Sequence, residues 1–128
     1  MVAGRWSDRY RAARPYLIAV LLSGALASCN PSIRRSQETI LKKDLYTLRT
    51  AIDHYTFDKG KAPGTLQDLV SNGYLKQVPT DPITGSADTW KRNMEDQSNT
   101  VNPAQPGIFD VRSGSELTSL EGTRYSEW

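Results

Sequence analysis

Cys29 and His54 are the only thiol and the only imidazole in this 128-residue chain, and they bound the nucleophilic and metal chemistry it can perform. Either group acts as a nucleophile, base or soft-metal ligand only with partners beside it. A single cysteine has no internal disulfide partner. His54 lies on the polar side of a helical pattern and reads as a solvated helix residue. Asp53 and Asp58 stand five residues apart on the same predicted helix, so their carboxylates diverge and make no acid–base dyad. Gly-x-Ser-x-Gly, His-Glu-x-x-His, a phosphate-cradling glycine loop and paired cysteines do not occur in the sequence. The expectation is a protein that is not an enzyme.

What remains chemically distinctive is the position of Cys29. Residues 1–14 are basic, residues 15–27 are apolar, and Leu26-Ala27-Ser28-Cys29 closes the segment. That is the order of a signal peptide: a charged start, a hydrophobic stretch and a small-residue cleavage site. As a helix, residues 15–27 would cover only about 20 Å of the ~30 Å hydrocarbon core. Leu-Ala-Ser-Cys resembles the lipobox of bacterial lipoproteins, in which small residues fit the signal peptidase and the thiol receives a diacylglycerol. Cys29 is therefore a lipidation candidate. The alternative reading makes it a small apolar residue ending a membrane helix. Both readings anchor the chain to a membrane of the bacterial envelope, with the rest of the protein in the periplasm.

Charge follows the same division. Arg5, Arg9, Arg11 and Arg14 against Asp8 leave three net positive charges before residue 15, whereas from Cys29 onward twelve Lys and Arg face thirteen Asp and Glu, a net of −1. A nucleic-acid binder keeps its basic patch on the folded domain, where phosphates reach it. Nucleic acid is not an expected partner.

The elements that position these residues follow from periodicity. Asn30-Pro31 supplies a cap and a first helical residue that needs no amide partner. Leu41, Leu45, Leu48, Ile52 and Tyr55 recur at spacings of four, three, four and three, which puts them on one apolar stripe, flanked by Ile40 and Ala51. The opposite face carries Lys42, Lys43, Arg49, Asp53 and His54, with Glu38–Lys42 and Arg49–Asp53 spaced as exposed i,i+4 pairs. Gly60 is the expected left-handed stop of a helix over residues 30–60. Thr65 and Asp68 predict a capped short helix from Leu66 to Ser71, ended by Asn72-Gly73, after which Tyr74-Leu75 packs back on the stripe. Pro79-Thr80-Asp81-Pro82 and Thr84-Gly85 read as successive turns. Over residues 88–128, Thr89-Trp90-Lys91 and Ile108-Phe109-Asp110-Val111 are strand candidates flanking a polar loop, Arg92 to Pro106, as in a hairpin. The remainder reads as loop, with Tyr125 and Trp128 large enough to dock on the sheet. The sequence thus divides into a signal-like segment, 1–29, and one α+β domain, 30–128, in which a long N-terminal helix packs on a short helix and a small antiparallel sheet.

That order resembles the domain of the major, G-type pseudopilin of type II secretion systems. Asp44-Leu45 and Leu48-Arg49-Thr50-Ala51-Ile52-Asp53-His54-Tyr55 look like its helix signature, and Asp58-Lys59-Gly60-Lys61-Ala62-Pro63 resembles its D-x-G-x-Y-P turn, with Ala62 where the tyrosine usually sits. Leu66-Gln67-Asp68-Leu69-Val70, Gly73-Tyr74-Leu75, Pro79-Thr80-Asp81-Pro82-Ile83-Thr84-Gly85, Trp90, Gly107-Ile108-Phe109-Asp110-Val111 and Ser113-Gly114-Ser115 continue the match in order, so that it covers roughly residues 38–128. The resemblance implies a filament subunit whose partners are other pseudopilins and the secretion platform, and whose stripe, Leu41 to Tyr55, serves as core or assembly face. It also implies calcium in the C-terminal loop, held by carboxylates as this oxygen-seeking ion requires. Asp110, Glu116 and Glu121 are the candidates, without the family's run of aspartates. The N-terminus departs from the family, because neither the Phe that follows prepilin cleavage nor the Glu at the fifth mature position is found.

Overall fold

The computed structural model describes residues 30–100 and 102–128, so the signal-like segment, Cys29 included, lies outside the described residues. The chain divides into two units, residues 1–34 and 35–128. Of the first, residues 30–34 are the start of a helix. Asn30 Oδ1 accepts from the Ser32 amide at 3.1 Å and from the Ser32 hydroxyl at 2.9 Å, with Pro31 as first helical residue. The cap is the one expected.

Helix α1 (Pro31–Lys59) continues through the second unit and stops where Gly60 takes φ +68° and donates its amide to Thr56 O at 2.9 Å. Leu41, Leu45, Leu48, Ala51, Ile52 and Tyr55 face inward and are buried. Ile40, assigned to the margin of the stripe, is instead 49% exposed. Helix α2 (Leu66–Ser71) opens on a complete capping box. Thr65 Oγ1 accepts from the Asp68 amide at 3.2 Å, and Asp68 Oδ2 accepts from the Thr65 amide at 3.0 Å. It closes with Gly73 at φ +83°, whose amide reaches Val70 O at 3.1 Å while that of Tyr74 reaches Leu69 O at 2.8 Å. This paired reversal turns the chain back on α1. Tyr74 meets Tyr55 edge to face at 5.4 Å and donates its hydroxyl to Asp58 at 2.7 Å.

The sheet has two antiparallel strands, β1 (Lys91–Met94) and β2 (Ile108–Arg112), with Arg92 opposite Val111 and a bulge between Asn93 and Met94. β1 starts two residues later than the aromatic-led expectation, and Arg92 to Met94 belong to the ladder, not to the loop. The reason is that Trp90 sits in the core, 4% exposed, with its indole N–H bonded to Pro79 O at 2.7 Å, whereas the β1 residues bury little and pair through their backbone. Ile108 and Val111 complete the core from β2. The architecture is α+β, with a long helix, a short helix and a small antiparallel sheet.

Residues 113–128, expected as loop, form an ordered strap. Thr118 bridges to Arg124, Gly122 makes the turn at φ +88°, and a 3-10 helix (Tyr125–Glu127) inserts the fully buried Tyr125 against β2. Trp128 stacks edge to face on Tyr125 at 5.2 Å.

Candidate functional site

Two polar side chains of α1 hold the strap. Glu38 continues the apolar stripe one turn toward the N-terminus and is 6% exposed. Its Oε1 accepts from the Tyr125 hydroxyl at 2.7 Å and from the Leu120 amide at 2.8 Å. The expected exposed pair with Lys42 does not form. Lys42 instead lies 4.7 Å from the centre of the Trp128 ring and 3.4 Å from Glu121. Buried hydroxyl and amide donors need an acceptor, and the carboxylate supplies both lone pairs from one oxygen.

Arg49 is the second holding point. Its Nε donates to Asp110 Oδ1 at 2.8 Å, and its Nη2 donates to Val111 O at 3.0 Å and to Trp128 O at 2.8 Å. One planar guanidinium therefore ties α1, β2 and the strap together. The i,i+4 pairing with Asp53 gives way to these bonds, because charge-assisted bonds to fixed backbone carbonyls outweigh an exposed helix pair.

Arg49→Ala should cost about 1–2 kcal/mol, a figure held down because the side chain is 39% exposed and solvent screens it. Arg49→Lys should recover less than half of the loss, because an ammonium cannot reproduce the fork. Urea unfolding followed by Trp fluorescence checks both.

The three calcium candidates are not brought together. Asp110 is engaged by Arg49 and lies 3.9 Å from Arg112 Nε. Glu116 faces Lys91 at 3.3 Å and Arg124 at 3.8 Å, and accepts from Ser126 Oγ at 3.1 Å. Glu121 pairs with Lys42. The hydrogen bond from Lys91, then that from Ser126, holds the Glu116 carboxyl below its ordinary range. Each carboxylate thus stands against its own basic side chain, and among the described residues no three His, Cys, Asp or Glu side chains converge on a metal position.

The stripe residues Leu41, Leu45, Leu48, Ile52 and Tyr55 are 0 to 7% exposed. They are core. Their own domain covers them, and the outer side of α1 carries the exposed aromatics, Tyr46 at 73% and Phe57 at 88%. His54 is exposed, as expected.

Sequence reasoning missed Asp81, which is fully buried. Its Oδ1 accepts from the Ile83 amide at 2.8 Å and its Oδ2 from Ser113 Oγ at 2.6 Å. The signal was present, since an Asp between Thr80 and Pro82 is suited to bonding the backbone two residues on. Asp44 on α1 feels this charge. Burial pushes its carboxyl above the ordinary value, Lys43 opposes this, and the smaller influence of Asp81 adds to the rise.

A raised carboxyl pKa means that the folded state holds the proton more tightly than the unfolded one, so stability falls as pH rises through the raised value. Asp44→Asn should therefore melt above the wild type at pH 7, with the gap closing below the ordinary value of 3.8. Melting curves across pH check this. No family model, curated protein or solved structure matches the chain.

Proposed function

We propose that this chain is a structural subunit or accessory component of a type II secretion-like pseudopilus, acting in protein export across the outer membrane. The observation that carries the reading is where the resembling segments fall in the fold. Gly60 and Gly73 occupy left-handed turns, Asp81 is a buried turn acid, and Gly107 and Gly114 sit where a Cβ would meet other backbone within 3 Å. The quoted motif residues thus meet demands of geometry and not merely of composition. The subunit acts mechanically: its partners are other pseudopilins and the secretion platform, and it is held at the membrane through the N-terminal segment. Calcium has no part in this reading, since the candidate carboxylates are already paired.

Deleting the gene should stop export of at least one secreted protein, and the wild-type copy should restore it. Normal export of every secreted protein in the deletion strain would refute the reading.

Leu26-Ala27-Ser28-Cys29 and the missing Phe and Glu favour a second reading, a lipid-anchored envelope binding module with this fold that does not assemble. Palmitate labelling with a Cys29→Ser control, together with the mass of the mature N-terminus, separates the two. Label on the wild type with unimpaired export supports the module; no label sinks it.

A further inference from the structure

We infer that the outer edge of β1 is a peptide-docking site that takes an extended segment carrying a carboxylate side chain, by strand addition. The sheet has two strands, so each has one edge without a neighbouring strand. On β2 that edge is engaged, because the Ile108 amide donates to Pro63 O at 2.7 Å. On β1 no residue from Lys91 to Met94 makes a backbone bond outside the ladder among the described residues. Alternate N–H and C=O groups there are free to pair with an incoming chain.

Arg92 of this strand and the preceding Trp90 line a cleft of about 490 Å³ together with Gln67, Val78 and Asp88. Trp90 immediately precedes β1, and the alternation of an extended chain puts its side chain on the same side as that of Arg92. Alternate side chains of an added strand would enter the same space. Backbone pairing and a side-chain cleft thus occur at one place.

Charge selects the occupant. Lys91 is drawn to Glu116 at 3.3 Å, whereas the exposed side chain of Arg92 makes no hydrogen bond or ion pair among the described residues. Its guanidinium fork fits a carboxylate. Asp88 lines the same cleft and disfavours an acid on its own side, so the carboxylate seats at Arg92, while Asp88 and Gln67 suit flanking hydroxyls or amides. A second copy is disfavoured, because edge-to-edge pairing would bring the Lys91 and Arg92 side chains of both copies together.

The test uses the isotope-labelled full chain in detergent micelles, titrated with acetyl-Ser-Thr-Val-Glu-Val-Thr-Ser-amide and with the same peptide carrying Gln or Lys at the centre. Saturable shifts of the Lys91 to Met94 amides are expected with the Glu peptide. Binding of the Gln peptide should be about tenfold weaker, the loss of one charge-assisted contact. Arg92→Glu should reverse the order of the Glu and Lys peptides, and N-methylating alternate peptide amides should abolish binding. The inference is overturned if no peptide binds up to about 1 mM, if the order survives Arg92→Glu, or if N-methylation has no effect. It is also overturned if the same amides shift with protein concentration alone, which would assign the edge to a second copy.

Discussion

Asp81→Ala lowers the stability of the domain by about 3–5 kcal/mol and moves the urea midpoint down without changing the slope. Both carboxylate oxygens are used. Oδ1 accepts from the amides of Ile83 at 2.8 Å and Thr84 at 3.4 Å, and Oδ2 accepts from Ser113 Oγ at 2.6 Å and the Gly114 amide at 3.3 Å. The Asp81 backbone is engaged as well, donating to Ser86 O at 3.0 Å and accepting from Gly85 at 2.8 Å. One buried side chain therefore shapes its own turn and fastens it to the start of the strap. Alanine leaves a buried hydroxyl and several amides without an acceptor, and unsatisfied buried donors cost more than the average bond is worth. Asp81→Asn keeps one acceptor for Ile83 but turns an amide group toward the Gly114 N–H, so it should recover about half of the loss. A shift below about 1 kcal/mol for the alanine variant would show that the turn and strap are held by something else.

Gly114→Ala should be nearly as damaging, about 3 kcal/mol or more, and for a different reason. A Cβ on residue 114 would stand 1.9 Å from Thr89 O and 2.9 Å from Thr89 C. The obstacle is backbone, which has no alternative rotamer to retreat into. The chain segments must separate, which strains the Asp81 to Gly114 bond and the seat of Trp90 beside Thr89. Gly122 is the internal control. It has φ +88° with nothing within 4 Å of its Cβ position, so Gly122→Ala costs only the conformational preference, about 1 kcal/mol. Thermal melts of the two variants, with near-ultraviolet circular dichroism reporting on Trp90, separate lost space from lost conformational freedom. Equal melting temperatures would contradict the close approach at Thr89.

The two helices were legible because their signals are local. The stripe of α1, its Asn30 cap, the Gly60 stop and the Thr65 to Asp68 box each depend on residues within a turn or two of one another, and periodicity finds such patterns. Trp90 shows the opposite case: an aromatic that looked like strand is core filling, and the strand beside it is polar and unremarkable in sequence. The polar interior was illegible for a related reason. The partners of Arg49 and Glu38 lie 61 to 87 residues away, and nothing in the sequence marks which distant oxygen or hydroxyl each will meet. Glu38 alone carried a usable hint. It stands three residues before Leu41, in phase with the stripe, and a carboxylate in phase with an apolar stripe implies a buried donor opposite it. The carboxylates of the C-terminal region were visible as residue types, but their pairing with Lys42, Arg49 and Lys91 required the three-dimensional arrangement.

The distance between α1 and the strap also sets an order of events. During synthesis the helix emerges well before the residues that bond Glu38 and Arg49. Until then the apolar stripe has neither Ile108 and Val111 from β2 nor Tyr125 from the strap to cover it. Closure of the domain is therefore a late, long-range step whose loop entropy must be met before any of these contacts forms. A chain cut off before the strap would retain the capped helices yet leave the stripe open, a species prone to self-association and a natural substrate for quality-control proteases.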